Sequence, residues 1–263
     1  MAQTLAEIRE ALKVANRAEY EALARALAAD ERKGVKAALK SAARRLAAED
    51  AEAARLNGMY SFQAKLAGGG IAVGLDEVGR GPVAGPLAIG AVVLPDDPRV
   101  EGVNDSKQLS AERREEIAAV VREVAIAWDI EYIQPQEIDE HGMTWALRTA
   151  NLRAIAAIEE QLSAKGTSLD AVLLDGNAQH LDAREVNIVK GDGKCASIAA
   201  ASIIAKVDRD ALMCRYAERF PHYGFESNKG YASAEHIEAI KQYGLSPVHR
   251  VSFCRAWTQE TLF

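Results

Sequence analysis

Cysteine is scarce in this 263-residue chain: Cys195, Cys214 and Cys254 are widely spaced, odd in number and free of any CxxC pair. That usage excludes a disulfide framework and a zinc knuckle, and points to reduced surroundings. Long apolar runs are missing too. Ile198 to Ala205, one of the longest, falls well short of the ~20 residues that cross a bilayer. The opening MAQTLAEIRE carries acidic residues early and no apolar stretch, so it does not read as a secretory signal, and a cytoplasmic, membrane-free protein is expected. Basic charge is in deficit, with 32 Lys and Arg against 38 Asp and Glu. The deficit is uneven, because residues 1–66 hold 12 basic against 9 acidic side chains, leaving 20 against 29 for the remainder. Net charge alone therefore excludes no partner; clustered metal-binding carboxylates or a solvated acidic surface would each account for the excess.

What is present divides the chain in two. Residues 1–66 contain no proline, only Gly34 and Gly58, and an abundance of Ala, Leu, Glu, Lys and Arg. This composition predicts two or three helices, broken near Asp30–Gly34. Ala67-Gly68-Gly69-Gly70 then reads as a flexible linker and the strongest domain boundary, giving a helical segment 1–66, a glycine-rich linker 67–70 and a larger domain 71–263. Apolar residues make up 49% of the chain, ample for a packed core.

In the larger domain, Ile71, Val73 and Leu75 alternate into Asp76, and Leu87–Leu94 forms a second strand behind a Gly- and Pro-rich turn. A helix capped by Ser110, a strand within Val124–Ile133 and a helix over 136–163 follow. Strands at Ala171–Leu174 and Val186–Val189, a long helix Ser197–Ala217, and helices at 233–243 and 252–261 complete the pattern. Antiparallel strands first and βαβ alternation later imply an α/β fold with a mixed sheet flanked by helices.

The chemistry-bearing residues cluster at predicted strand ends and glycine loops. Adjacent side chains on a strand point to opposite faces, so Asp76 and Glu77 share a site only if the backbone turns, and Gly79-Arg80-Gly81-Pro82 supplies a turn. Asp175 ends the apolar run Val172-Leu173-Leu174, and Asp192 lies in Lys190-Gly191-Asp192-Gly193-Lys194 before the long helix. Open sheets build their sites at strand ends. Any one of these acids alone is an ordinary turn-former or cap; together they form a hard-oxygen set suited to Mg²⁺ or Mn²⁺. Two such ions about 4 Å apart can activate water and stabilise a leaving oxygen in phosphodiester hydrolysis. The glycine spacing GxGxxxG lacks a helix directly behind it and does not fit a dinucleotide fold.

The segment Gly74-Leu75-Asp76-Glu77-Val78-Gly79-Arg80-Gly81-Pro82 resembles the signature of bacterial ribonuclease HII. Asn104-Asp105-Ser106-Lys107-Gln108-Leu109-Ser110, Leu174-Asp175-Gly176-Asn177, Lys190-Gly191-Asp192, Ala200 to Val207 and Asn228-Lys229-Gly230-Tyr231 resemble further family blocks in family order, spanning residues 71 to about 253. The resemblance implies an RNase H-like fold with a five-stranded sheet and a small all-helical N-terminal domain. It also implies Asp76, Glu77, Asp175 and Asp192 as catalytic metal ligands for Mg²⁺ or Mn²⁺, with Asp208 and Asp210 as competitors for the fourth place. The implied substrates are RNA–DNA hybrids and ribonucleotide-containing duplex DNA, cut 5′ of a ribonucleotide to leave 3′-hydroxyl and 5′-phosphate.

Gly79, Arg80 and Gly81 are the implied readers of the ribose 2′-hydroxyl, the group that alone marks RNA. Tyr231 resembles the tyrosine that stacks on the following sugar, and Lys107 and Lys229 are candidate phosphate contacts. Residues 1–66 resemble the extension of long-form members, a candidate aid in gripping duplex backbone. The C-terminal Gln259-Glu260-Thr261-Leu262-Phe263 loosely resembles clamp-binding tails, which makes a sliding clamp a candidate partner of an expected monomer. Ribonuclease HIII, with a different residue between the glycines and a sheet-containing N-terminal domain, is disfavoured by Arg80 and the helical N-terminus. A catalytically silent hybrid-binding protein is disfavoured by the presence of all four carboxylates.

Overall fold

In the computed structural model, which describes residues 3–258, the helical N-terminal region begins with two capping boxes. Thr4 and Glu7 close the start of α1 (Leu5–Val14), and Asn16 and Glu19 the start of α2 (Arg17–Ala26), each pair satisfying backbone N–H groups that have no helical partner. The third helix, α3 (Lys33–Leu66), is 34 residues long. Ile8, Leu12, Val35 and Ala42 form a small core, with Tyr20 and Leu23 against it.

The chain separates into compact units at Asn57/Gly58, inside α3 rather than at the glycine-rich segment. The last turns of α3 therefore belong with the larger unit. Tyr60 Oη accepts a hydrogen bond from Val100 N at 3.0 Å, and Gln63 Oε1 accepts from Ser197 N at 2.9 Å. Both side chains are buried.

The larger unit is built on five strands: β1 (Ala72–Val78), β2 (Leu87–Val93), β3 (Ala127–Ile133), β4 (Ala171–Asp175) and β5 (Glu185–Ile188). Their order is β3-β2-β1-β4-β5; β1, β2 and β3 are antiparallel neighbours, while β1, β4 and β5 run parallel. Every residue of β2 is buried, as a strand covered on both faces requires. Edge strand β3 carries Asp129 and Glu131, charges that discourage pairing with another chain.

Helices cover both faces of the sheet. After α4 (Ala111–Val124), capped by Ser110 as expected, come α5 (Pro135–His141) and α6 (Met143–Ala164). The helix expected over 136–163 is thus two helices, because Gly142 with φ 81° breaks it. Along α6, Ala146, Ala150, Ala154, Ile158 and Leu162 recur every fourth residue and pack on Val73, Leu75, Ile89 and Ala91. The opposite face receives α7 (Ala196–Arg219), whose first half, ASIAAASIIA, is small enough for intimate contact. A Cβ on Gly74 would lie 2.3 Å from Ile198 N, and one on Gly90 2.3 Å from Ala201 O. Glycine on the sheet is what admits the helix so closely. The start of α7 has no side-chain cap of its own at Cys195; Gln63 supplies one from 134 residues away, a contact worth about 1 kcal/mol. Three helices, α8 (Phe225–Asn228), α9 (Ala234–Tyr243) and α10 (Val251–Thr258), close a second core with Val83, Ala84 and Met213.

Candidate active site

The register of the sheet brings the acids together. Leu75 of β1 aligns with Leu174 of β4, so the next residue on each strand, Asp76 and Asp175, ends level with the other. Gly191 N donates to Asp175 Oδ1 at 2.6 Å, tying down the short turn Gly191–Gly193 that carries Asp192. Strand β1 runs on through Val78, so the backbone does not turn between Asp76 and Glu77 as expected; it turns only after both. Alternation accordingly sends Asp76 toward Ser202 of α7 and Glu77 toward Thr144 and Arg148 of α6. Both still line one cleft of about 340 Å³, together with Gly79, Arg80, Gly81, Ser106, Lys107, Ser202, Lys206 and Tyr231. A second cleft of about 470 Å³ adjoins it, sharing Glu77 and Arg80 and adding Asp175, Asn177 and Gln179.

These acids repel one another. Burial raises the Asp76 pKa to about 8, against a hydrogen bond from Ser202, and the charges of Asp175, Glu77 and Asp192 push the same way as burial. Ser106 and Ser202 hydroxyls lie 2.9 Å apart, so Ser106 donates to Ser202 when Ser202 donates to Asp76. Glu77 is raised by burial, against Arg80 3.4 Å away. Asp192 is raised by burial and by Asp105 and Asp175, with Lys107 opposing at 3.8 Å. Among the described residues no three His, Cys, Asp or Glu side chains form a ready-made metal site. The donor chemistry nevertheless fits a divalent cation: oxygen ligands alone, at the end of a rigid sheet, whose mutual repulsion a cation would relieve.

Placement of the other expected residues is mixed. Tyr231 lines the cleft at 52% exposure. Its carbonyl is pinned by a histidine chain whose tautomers follow from the donors: Ser246 N donates to His249 Nδ1 at 2.9 Å, so His249 Nε2 donates to His236 Nε2 at 3.0 Å, and His236 Nδ1 donates to Tyr231 O at 2.7 Å. Lys107 stands between Asp105 and Asp192 at 3.9 and 3.8 Å. Lys229 is not brought to the cleft, because its Nζ donates to Cys214 Sγ at 2.9 Å. Asp208 is paired with Arg122 and Asp210 with Lys206, whereas Asp192 is among the charges acting on Asp76. Ser106, Ser202 and Lys206 had been given no role; their sequence blocks mark them, yet only the packing of α7 beside β1 shows that they face the cleft.

A sequence profile for ribonuclease HII matches residues 73–256, and one for the ribonuclease HII N-terminal domain matches residues 4–67. The chain belongs to the ribonuclease HII family. It is 43% identical over 212 residues to a ribonuclease HII of Ruminiclostridium cellulolyticum, covering 80% of this chain and 81% of that one. In structure it is similar to the ribonuclease H2 of Pyrococcus horikoshii OT3 (TM-score 0.59, 28% identity, 71% of this chain and 96% of that chain). It is also similar to the RNase HII of Archaeoglobus fulgidus, solved in a complex with PCNA (TM-score 0.60, 28% identity, 73% and 98% covered). The family makes the protein a divalent-metal-dependent endonuclease of the type 2 ribonuclease H class, on the RNase H-like fold. Among the described residues no helix is long and apolar enough to cross a membrane.

Proposed function

We propose that this protein hydrolyses the RNA strand of RNA–DNA hybrids and cuts duplex DNA on the 5′ side of a single embedded ribonucleotide, leaving 3′-hydroxyl and 5′-phosphate. One observation carries the reading: the strand-end acids Asp76 and Glu77 and the Gly79-Arg80-Gly81 turn line the same cleft. Asp76, Glu77, Asp175 and Asp192 would hold Mg²⁺ or Mn²⁺, two ions during turnover. When bound, the metal supplies a nucleophilic water and charge stabilisation for the leaving oxygen.

The protein's own groups do the rest. Ser106 and Ser202 orient Asp76, and Arg80, 63% exposed, is free to leave Glu77 and grip a phosphate through its planar fork. Lys107 holds positive charge at the cleft, since Asp105, Asp192, Asp76 and Asp175 lift its pKa despite burial. Tyr231 offers a ring on which a sugar can stack. Residues 1–66 serve as an aid in holding duplex backbone, and a sliding clamp is a candidate partner through Gln259–Phe263, which lie outside the described residues. Cleavage of a labelled duplex containing one ribonucleotide, with and without Mg²⁺ or Mn²⁺, tests the reading. A single metal-dependent cut 5′ of the ribonucleotide is expected; metal-independent cutting, or none, overturns it.

A further inference from the structure

Beneath the Gly79-Arg80-Gly81 turn lie two arginines that the proposed chemistry does not use. Arg250, fully buried, donates from Nε to Gly85 O at 3.0 Å, from one terminal nitrogen to Arg80 O at 3.0 Å, and from the other to Gly79 O at 2.6 Å and Gly85 O at 2.8 Å. Arg209, 1% exposed on α7, donates to Pro86 O at 2.9 Å, Ala84 O at 3.2 Å and Lys229 O at 3.0 Å. Among the described residues neither guanidinium has a carboxylate within salt-bridge distance. Their N–H groups are taken up by main-chain carbonyls, with the Phe253 ring 5.3 Å from the Arg250 guanidinium, an expensive arrangement unless the loop is closed around it. Burial, then Arg209 beside it, lowers the Arg250 pKa to about 9, so it stays charged at neutral pH.

The geometry has a direct consequence for the cleft. In a trans peptide the C=O and the following N–H point in opposite directions. Turning the Gly79 and Arg80 carbonyls down onto Arg250 therefore turns the N–H groups of Arg80 and Gly81 up, on the side where those residues line the cleft. Neither N–H has an acceptor among the described residues. Gly79 is fitted to the same device: its φ is +87°, and a Cβ there would lie 2.2 Å from Arg209 Nε.

We propose that Arg250, supported by Arg209, is a positioning residue that sets ribose selectivity by holding the main chain of residues 79–81 with its N–H groups presented to the substrate. This rests on the reading that residues 79–81 meet the 2′-hydroxyl. It adds that the selectivity is enforced from below by side chains that never touch nucleic acid.

The test uses the full chain with Mg²⁺ and compares wild type with Arg250→Lys, which keeps the charge and loses the fork. Two quantities are measured: kcat/KM on a duplex with one ribonucleotide, and the inhibition constant of the same-sequence all-DNA duplex as competitor. Arg250→Lys is expected to lose about 10- to 100-fold in kcat/KM, as removal of groups that orient a site does, while the inhibition constant of the all-DNA duplex stays within about twofold. Arg209→Lys gives a second reading with a smaller loss of the same kind, should Arg250→Lys fail to fold. Unchanged kcat/KM in a folded variant, or a parallel loss for both duplexes, overturns the inference. A wild type that cuts the ribonucleotide duplex yet binds it no better than all-DNA overturns the reading of residues 79–81 itself.

Discussion

The carboxylate end of the sheet and the arginine platform beneath residues 79–86 are opposite solutions to buried charge. At the sheet end, like charges are forced together and only partly offset by Arg80 and Lys107, which leaves the site hungry for a cation. On the platform, cations are enclosed by main-chain carbonyls that take up their N–H groups and hold the loop in one arrangement, although burial still lowers the Arg250 pKa. The first arrangement suits catalysis and the second suits recognition. Helix α7 joins them, carrying Ser202 toward Asp76 and Arg209 into the platform.

The largest effect expected is at the acidic end. Asp76→Asn should lower single-turnover cleavage more than about 100-fold, exceeding what loss of a ligand-orienting group costs, while duplex affinity by gel shift changes only a few-fold. An equal loss of affinity would erase the division of labour. On the platform, Gly79→Ala must displace Arg209 and hold alanine at positive φ; a destabilisation of about 1–3 kcal/mol in urea unfolding is expected, and wild-type stability would show that the platform is soft.

The joining helix can be weakened from outside both regions. Beginning the chain at residue 67 rather than at Gly58 removes Tyr60 and Gln63 and so uncaps α7. The shorter chain should be less stable by about 2 kcal/mol and slower in cleavage. Equal stability and rate would mean that α7 needs no cap. Acid should act on the two regions in opposite senses: the acids, whose pKa values are raised, gain stability as pH falls, whereas the histidines behind the platform lose it. His249, bridged by main chain to Ala84, has its pKa lowered from 6.5 to about 4 by burial and by His236. It is neutral in the folded protein, so the stability it contributes above pH 6.5 is lost as pH falls toward 4. Between pH 7 and pH 5 this amounts to about 1–2 kcal/mol, and His249→Gln should flatten that part of the acid slope in denaturant titrations. An unchanged slope would place the acid sensitivity elsewhere.

Residues 1–66 invite a smaller test. Removing residues 1–57 leaves every contact described in the larger unit intact, so gel shifts with and without them isolate their effect. A weaker affinity and a shallower salt dependence are expected if they grip phosphates.

The sequence by itself determined the α/β class, the five strands within a few residues, and the acidic positions, because an apolar run ending in Asp beside glycine is a local pattern. Arg80 was legible from its tight glycine frame, whereas Tyr231 was marked only by the family resemblance of its block. Tertiary structure decided what local pattern cannot carry. Asp208 and Asp210 drew attention on α7, yet both pair with nearby cations while Arg209 between them turns inward. Arg250 showed no signal at all, since its partners lie about 165 residues away in sequence. Lys229 sat in a persuasive motif and points at Cys214. Gln63 lay in a segment read as part of an appendage and caps the helix on which both halves of the site depend. The common physical reason is that a long polar side chain takes its role from where its tip finds a partner, and that is fixed only when the strands and α7 have packed.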